Sequence, residues 1–573
     1  MKIPADNNAR TNPWYGTAAA TAIIGGVFAV IVCGLLVFNY AKSRVVEPKR
    51  EEKLEALKSK LLNQPGDEQL ISQIRQLDLK IRQDRIRRWD FNLKGSWMLL
   101  GSIAVFLIGL KYADTFKKKL PTPQLSGDKR DKQIREAMLA RWSVIVGLLI
   151  FGSGALFLVT RPSIDFIAVD IERTYYPSME EIGRNWPCFR GPGGLGISAC
   201  TNVPANWNGR TGEGISWKTL VPLPGHNSPV VWGDRIFLSG ADENKREVYC
   251  FDAISGKLLW TGSVTNGQQS SAEPVEVSED TGFAAPTVVT DGRRVYAIFA
   301  NGDVGCFDFD GKQVWAINLG VPDSAYGYAS SLAMYRNLLL IQYDQASLED
   351  EKSKMIALNG LSGQIVWQTK RPVGGSWTSP IVVKIGNRYQ LITCGNPWVI
   401  SYNPADGAEL WRAKCLGGDI APSSIYANGY IFAIEPYTKL VAIRPDGQGD
   451  VTQTHIAWSV DDGTPDICSP VSNDELIFLL TSEGMLNCYK VADGTKLWQE
   501  DLRENFMASP SLVGNYVYLL SEKGIMFIIE AAAEYKEVTR CELGEKCHAT
   551  PAFMDGRIFI RGLENLYCIV NEN

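Results

Sequence analysis

Histidine is nearly missing from this chain, with three residues in 573. That argues against a His-rich metal enzyme, because imidazole is a preferred ligand for transition metals. Charged residues are held to 21% against 45% hydrophobic, so the chain is neither disordered nor collagen-like. Twelve cysteines over this length do not make a small disulfide-framed toxin. A chain of 573 residues is also too long for one ordinary compact domain, and two or more parts are expected. Glycine, at 53, and tryptophan, at 16, are plentiful, which suggests turn-rich β structure.

The net charge of −5 hides a split. Residues 1–165 hold 26 Lys and Arg against 15 Asp and Glu, a net of +11. The remainder holds 32 against 48, a net of −16. The larger part is therefore too acidic for a nucleic-acid binder, while the smaller part suits a membrane surface.

The basic part reads as a membrane anchor. Trp14 to Tyr40 is apolar and almost uncharged, long enough to cross about 30 Å of hydrocarbon. A signal peptide would have a shorter apolar core and a small-residue cleavage site. A lipoprotein reading of Cys33 fails because apolar sequence continues to Phe38. Two more spans are predicted at about 96–112 and 142–160, each opening near a tryptophan, Trp97 and Trp142. Between the first two spans, Leu70, Ile74, Leu77 and Ile81 follow the 4-3-4 spacing of a coiled-coil seam. A shorter stripe, Leu54, Leu57 and Leu61, precedes the Pro65-Gly66 turn. Residues 47–90 thus read as a helical hairpin, either an arm for a partner or a solvated spacer. Lys129, Arg130, Lys132, Arg135 and Arg141 lead into the third span, and only Arg161 lies close behind it. The positive-inside rule then places the large C-terminal region on the outer side, although the basic 41–96 loop pulls the other way.

A linker, 166–184, leads to a region that repeats itself from 185 to 573. One element is a glycine turn with tryptophan four residues later: Gly256/Trp260, Gly311/Trp315, Gly363/Trp367, Gly407/Trp411 and Gly494/Trp498. Trp458 keeps the position after a longer turn, and the copy near Arg540 is degenerate. The flanking segments, such as VYCFDAISGKLLW and LNCYKVADGTKLW, carry the signature of a hairpin. A second element is a small residue with proline before a strand: Ser228-Pro229, Ala285-Pro286, Ser379-Pro380, Ala421-Pro422, Ser469-Pro470, Ser509-Pro510 and Thr550-Pro551. Ser330-Ser331 is an eighth copy without proline. This spacing leaves room for four strands per repeat, the blade of a β-propeller. The last repeat lacks its tryptophan strand. The unmatched strand Ile215–Leu220, with Trp217, is placed to complete it and close the ring. The predicted fold is therefore an all-β eight-bladed propeller behind an α-helical anchor.

These repeats resemble the PQQ-like β-propeller superfamily, which includes the quinoprotein alcohol dehydrogenases and the outer-membrane assembly lipoprotein BamB. The resemblance covers roughly 185–573. The lead-in Trp186-Pro187-Cys188-Phe189-Arg190-Gly191-Pro192 looks like that of membrane-bound members common in planctomycete-type bacteria. The dehydrogenases of the superfamily hold PQQ in the funnel with Ca²⁺ or a lanthanide, a catalytic Asp and typically a disulfide between adjacent cysteines. No Cys-Cys pair occurs here, and no ligand cluster matches by motif. No metal, catalytic residue or cofactor is therefore assigned. PQQ with Ca²⁺ belongs only to the alternative reading of a quinoprotein dehydrogenase passing electrons to the membrane.

The residue two before each small residue defines a candidate ring at the funnel mouth: His226, Phe283, Tyr328, Trp377, Asp419, Ile467, Met507 and His548. It is either a ligand or partner site or simply packing. Trp217, Trp260, Trp315, Trp367, Trp411, Trp458 and Trp498 are assigned to closing the blades. Cys250, Cys306, Cys488 and Cys568 share one strand position and read as buried fillers. Cys188 with Cys200, and Cys541 with Cys547, are possible disulfides in an exported domain. The resemblance implies a non-catalytic interaction or assembly module on the periplasmic side of a bacterial inner membrane. Its expected contacts are membrane lipid and protein partners, through propeller loops or the 47–90 hairpin, and not nucleic acid. A ligand-sensing propeller remains a further alternative.

Overall fold

A computed structural model describes residues 14–36, 39, 68–117, 138, 176–265 and 275–571. The chain divides into two compact units, Met1–Val169 and Asp170–Asn573.

In the first unit, two helices among the described residues are long and apolar enough to cross a membrane, Trp14–Leu36 and Lys94–Phe116. Small residues let them approach: a Cβ on Gly25 would lie 3.0 Å from the Phe106 nitrogen, and one on Gly109 2.8 Å from the Ala22 nitrogen. Such contacts suit helices that meet in lipid, where packing rather than water exclusion holds them together. The second span is the end of a single 50-residue helix, Glu68–Lys117. The second arm of the expected hairpin and the span therefore run on without a break. The intervening FNLKGS has one glycine and no proline, too weak an interruption to end a helix. The first arm of the hairpin and the expected span at 142–160 lie outside the described residues.

The second unit is an eight-bladed propeller. Blade 1 comprises Val230–Trp232, Arg235–Ala241, Arg246–Asp252 and Leu258–Ser263, each strand antiparallel to the next. Blades 2 to 7 occupy 289–318, 333–370, 381–414, 425–460, 471–501 and 511–542. Blade 8 is built from both ends of the region: Ala552–Met554, Arg557–Arg561 and Asn565–Val570 take Ile215–Leu220 as their outer strand. Trp217 stands opposite Cys568 in that pairing. Closure leaves no blade with an unpaired third strand facing solvent.

Burial follows position in the blade. The central strands are buried on both faces because a neighbouring blade covers each, as in Leu338–Tyr343, which is buried throughout. The outer strands alternate half-buried and exposed, as in Ile215–Leu220. This explains why the inner sequences read as continuous apolar runs and the outer ones as alternations.

The repeated motif has a physical reading at each residue. The Asp252 carboxylate accepts from the amides of Ile254 and Ser255, holding the turn. Gly256 comes next at φ +70°, and its missing Cβ is filled by the indole of Trp217, 2.5 Å from where that atom would stand. The same pairing recurs for Gly311 on Trp260, Gly363 on Trp315, Gly407 on Trp367 and Gly494 on Trp458. Each glycine thus receives the tryptophan of the preceding blade, not the one four residues ahead of it.

The indole N–H completes the joint by donating to a turn carbonyl of the next blade. Trp260 bonds Phe309 (2.8 Å), Trp315 bonds Gly360 (2.8 Å), and Trp498 bonds Ala532 (3.1 Å). Trp217, Trp367 and Trp458 do the same to Ala253, Pro404 and Val491. Trp411 reaches blade 5 through a relay, donating to Gln390 Oε1 while Gln390 Nε2 donates to the Pro445 carbonyl. Blade 7 has Thr539 where the tryptophan should be, opposite Ile528. Trp207, from the lead-in, is buried in the cluster shared by blades 7, 8 and 1, with its Cβ 2.8 Å from where a Cβ on Gly214 would stand. Cys250, Cys306, Cys488 and Cys568 each stand opposite a tryptophan of this set and are buried.

Candidate functional site: a funnel on the propeller axis

The inner strands carry a ring of hydroxyls around the axis. The backbone amide before each inner strand donates to the side-chain oxygen of the next blade. Ser228 donates to Thr287, Thr287 to Ser331, Ser331 to Ser379, and Ser379 to Ser423, at 2.8–3.0 Å. The series continues from Ser423 to Ser469, Ser509 and Thr550. At the closing seam the contact is different. His548 and His226 stack there, with ring centroids 5.0 Å apart and their Nδ1 atoms at 3.2 Å. One of the two nitrogens must be an unprotonated acceptor. Burial first, then His548 and Arg561, push His226 down to about 4.

All eight hydroxyl residues line one cavity of about 480 Å³. The expected ring is in part displaced. His226, Trp377, Asp419, Ile467, Met507 and His548 do line the cavity. Phe283 and Tyr328 do not. Phe283 packs against the apolar core between blades 1 and 2, and Tyr328 is buried with its hydroxyl donating to the Gln342 carbonyl (2.9 Å). Ala285 and Ala329 line the wall in their place, and Ala421 joins Asp419. In blades 2, 3 and 5 the ring hydroxyl lies one or two residues past the small residue used for alignment, at Thr287, Ser331 and Ser423. Counting back from the hydroxyl restores the register.

Other wall residues carry no repeat signal. Tyr326, Tyr437, Asp280 and Asp466 come from connecting loops. Tyr326 meets Trp377 edge to face at 5.0 Å, and the Trp377 indole N–H is tied to the Gly327 carbonyl (3.0 Å). Tyr437 donates its hydroxyl to Asp466 (3.0 Å), which also accepts from the Ser482 amide and hydroxyl.

The far end of the funnel meets the lead-in. Trp186 pairs with Val231 of blade 1, Thr290 of blade 2 donates to the Pro187 carbonyl, and Ile197–Ser198 lies parallel beside blade 7. The segment thereby crosses the axis. Phe189 lines the funnel on one side and a second, more apolar cavity of about 320 Å³ on the other. Arg190, at φ 59° and fully buried, anchors the crossing by donating to the carbonyls of Pro470, Leu195 and Gly194. Burial lowers its pKa to about 9.

The possible disulfides are not formed, and all cysteines of the described residues are free. Cys188 donates to the Gly191 carbonyl, Cys541 to Ala205 and Cys547 to Glu545. Burial pushes the Cys188 thiol up to about 12, which marks it as unreactive. Among the described residues, no three His, Cys, Asp or Glu side chains come together as a metal centre.

An eight-bladed ring joined by recurring Gly–Trp contacts defines a propeller of the PQQ-like class. The family model described as outer membrane protein assembly factor BamB matches residues 244–459 and 395–572, together more than half of the chain. The chain belongs to this family. It is 26% identical over 221 residues to outer membrane protein assembly factor BamB of Yersinia pestis, covering 37% of this chain and 55% of that protein. The chain thus spans little more than half the length of that relative. The BamB of Salmonella typhimurium is 23% identical over 323 residues, 55% of this chain and 78% of that protein. Among solved structures, the quinohemoprotein alcohol dehydrogenase of Comamonas testosteroni superposes with a TM-score of 0.52 at 13% identity, covering 69% of this chain and 83% of that one. At that identity the likeness concerns the fold alone.

Proposed function

We propose that this chain is a membrane-anchored propeller serving as a non-catalytic interaction or assembly module, with the propeller on the outer side of the inner membrane. The observation that carries the reading is the BamB-family match through 572 on a chain that also has two membrane-length apolar helices. The relatives are assembly factors by name, and a rigid ring with many loops offers a broad face to protein partners. The basic flank before residue 142 supports the outer placement. No cofactor is expected in this reading, and no reaction step is assigned to the funnel.

Photo-cross-linking in spheroplasts tests it. Photoreactive residues at the exposed positions Ile254 and Val366 are expected to capture discrete envelope proteins. Added protease is expected to cut propeller loops while sparing 112–141. Recovery of the bait alone, or a propeller shielded from protease, would overturn the proposal.

A further inference from the structure

Going beyond the assembly reading, we infer that the funnel is a binding site for a neutral sugar ring, recognised through its hydroxyls and one face. The first observation is the hydroxyl ring. Its eight members are each at least nine-tenths buried, and all line the cavity. Seven of the oxygens accept an amide from the neighbouring blade. None of the eight donates its proton to a protein acceptor among the described residues. Each therefore keeps its donor for an outside acceptor, and the seven that accept an amide keep one further lone pair.

The second observation is independent. Two loops bring aromatic rings to the mouth. Trp377 is held in orientation by its bond to Gly327 and by Tyr326. Tyr437 is 79% exposed yet sits at φ 59°, a left-handed conformation that is strained for a bulky residue. Its bond to Asp466 maintains that placement. A strained, exposed aromatic over a cavity is an arrangement for contact with something outside the chain.

The chemistry selects among occupants. Asp280, Asp419 and Asp466 in the wall repel an anion. No three-ligand group is present among the described residues to hold a metal cation. An apolar side chain would leave buried hydroxyls unpaired, at a cost for each. A sugar hydroxyl is both donor and acceptor, like the ring beneath it, and the sugar's C–H face packs on aromatic rings. The cavity of about 480 Å³ falls within the usual small-ligand range of about 300–1,000 Å³. Because Phe189 floors the funnel, the site would take a terminal unit or a free sugar, not a threaded chain.

The test is calorimetric titration of the full-length, detergent-solubilised protein. The probes are glucose, mannose, N-acetylglucosamine and maltose, with a tryptophan-containing peptide as the competing class. At least one saccharide is expected to bind. Tyr437→Ala, an exposed position, is expected to weaken it about tenfold without changing the melting temperature. Ser509→Ala is expected to weaken it as well. A disaccharide binding more tightly than its monosaccharide would indicate a glycan end; equal binding would indicate a free sugar. Binding of the peptide alone, saccharide binding indifferent to both variants, or no binding by any probe would overturn the inference. Partner capture from Ile254 and Val366 is unaffected by any of these outcomes, so the two readings fail separately.

Discussion

If glycine recurs in the repeat because an indole occupies its side-chain space, its substitution must be coupled to that indole. Gly363 and Trp315 give the cleanest pair. Gly363 stands at φ +69°, and an added Cβ would lie 2.7 Å from Trp315 Cε3, inside any permitted contact. Gly363→Ala then carries two costs. The left-handed backbone contributes about 1–2 kcal/mol, and displacement of the packed indole a further ~1–3 kcal/mol. Trp315→Ala removes a side chain only 9% exposed and its bond to Gly360, at about 3–5 kcal/mol. In the double variant the steric cost vanishes, because nothing remains for the Cβ to strike. The double variant should therefore be less destabilised than the two single changes added together, by about 1–3 kcal/mol. Denaturant unfolding of the four proteins, monitored by tryptophan fluorescence and near-UV circular dichroism, measures this. If Gly363→Ala costs as much without Trp315 as with it, the glycine serves only its backbone conformation and the docking argument fails.

Deleting residues 215–220 should expose the edge of Asn565–Val570 and leave blade 8 with three strands. Size-exclusion chromatography is expected to show aggregation; a monodisperse protein with unchanged melting would sink the closure. For His226 the folded pKa is depressed to about 4 from 6.5. Its contribution is therefore fully present above pH 6.5 and is lost as pH falls toward 4, by up to about 3 kcal/mol. Melting curves from about pH 7 to about pH 4 should fall less steeply for His226→Gln than for the parent protein. Parallel slopes would mean that the stacked pair is not a proton-linked element.

The blade count and the closing strand are legible in the chain because their signals are local. Asp, Gly and Trp sit within one hairpin, and the alternation of an outer strand needs only neighbouring residues. The surplus Trp217 strand before the first blade and the missing one after the last could be matched by counting. The funnel wall is legible where the alignment coincides with the hydroxyl ring, as at His226, Trp377 and His548, and in blade 5 Asp419 lines it although the alignment there is two residues off. Phe283 and Tyr328 were misplaced because the ring is defined by bonds between blades 40 to 59 residues apart, which no local pattern records. Likewise, nothing near Gly363 announces that it receives the indole of Trp315 instead of Trp367, or that Trp207 of the lead-in is buried in the core shared by blades 7, 8 and 1. Tyr326 and Tyr437 came to the funnel mouth from loops outside the repeat. Arg190 found its carbonyl partner 280 residues away. Periodicity in the sequence determined which segments form blades and how many there are. Only the closed ring, by bringing distant loops and blades to one axis, decided what faces the funnel.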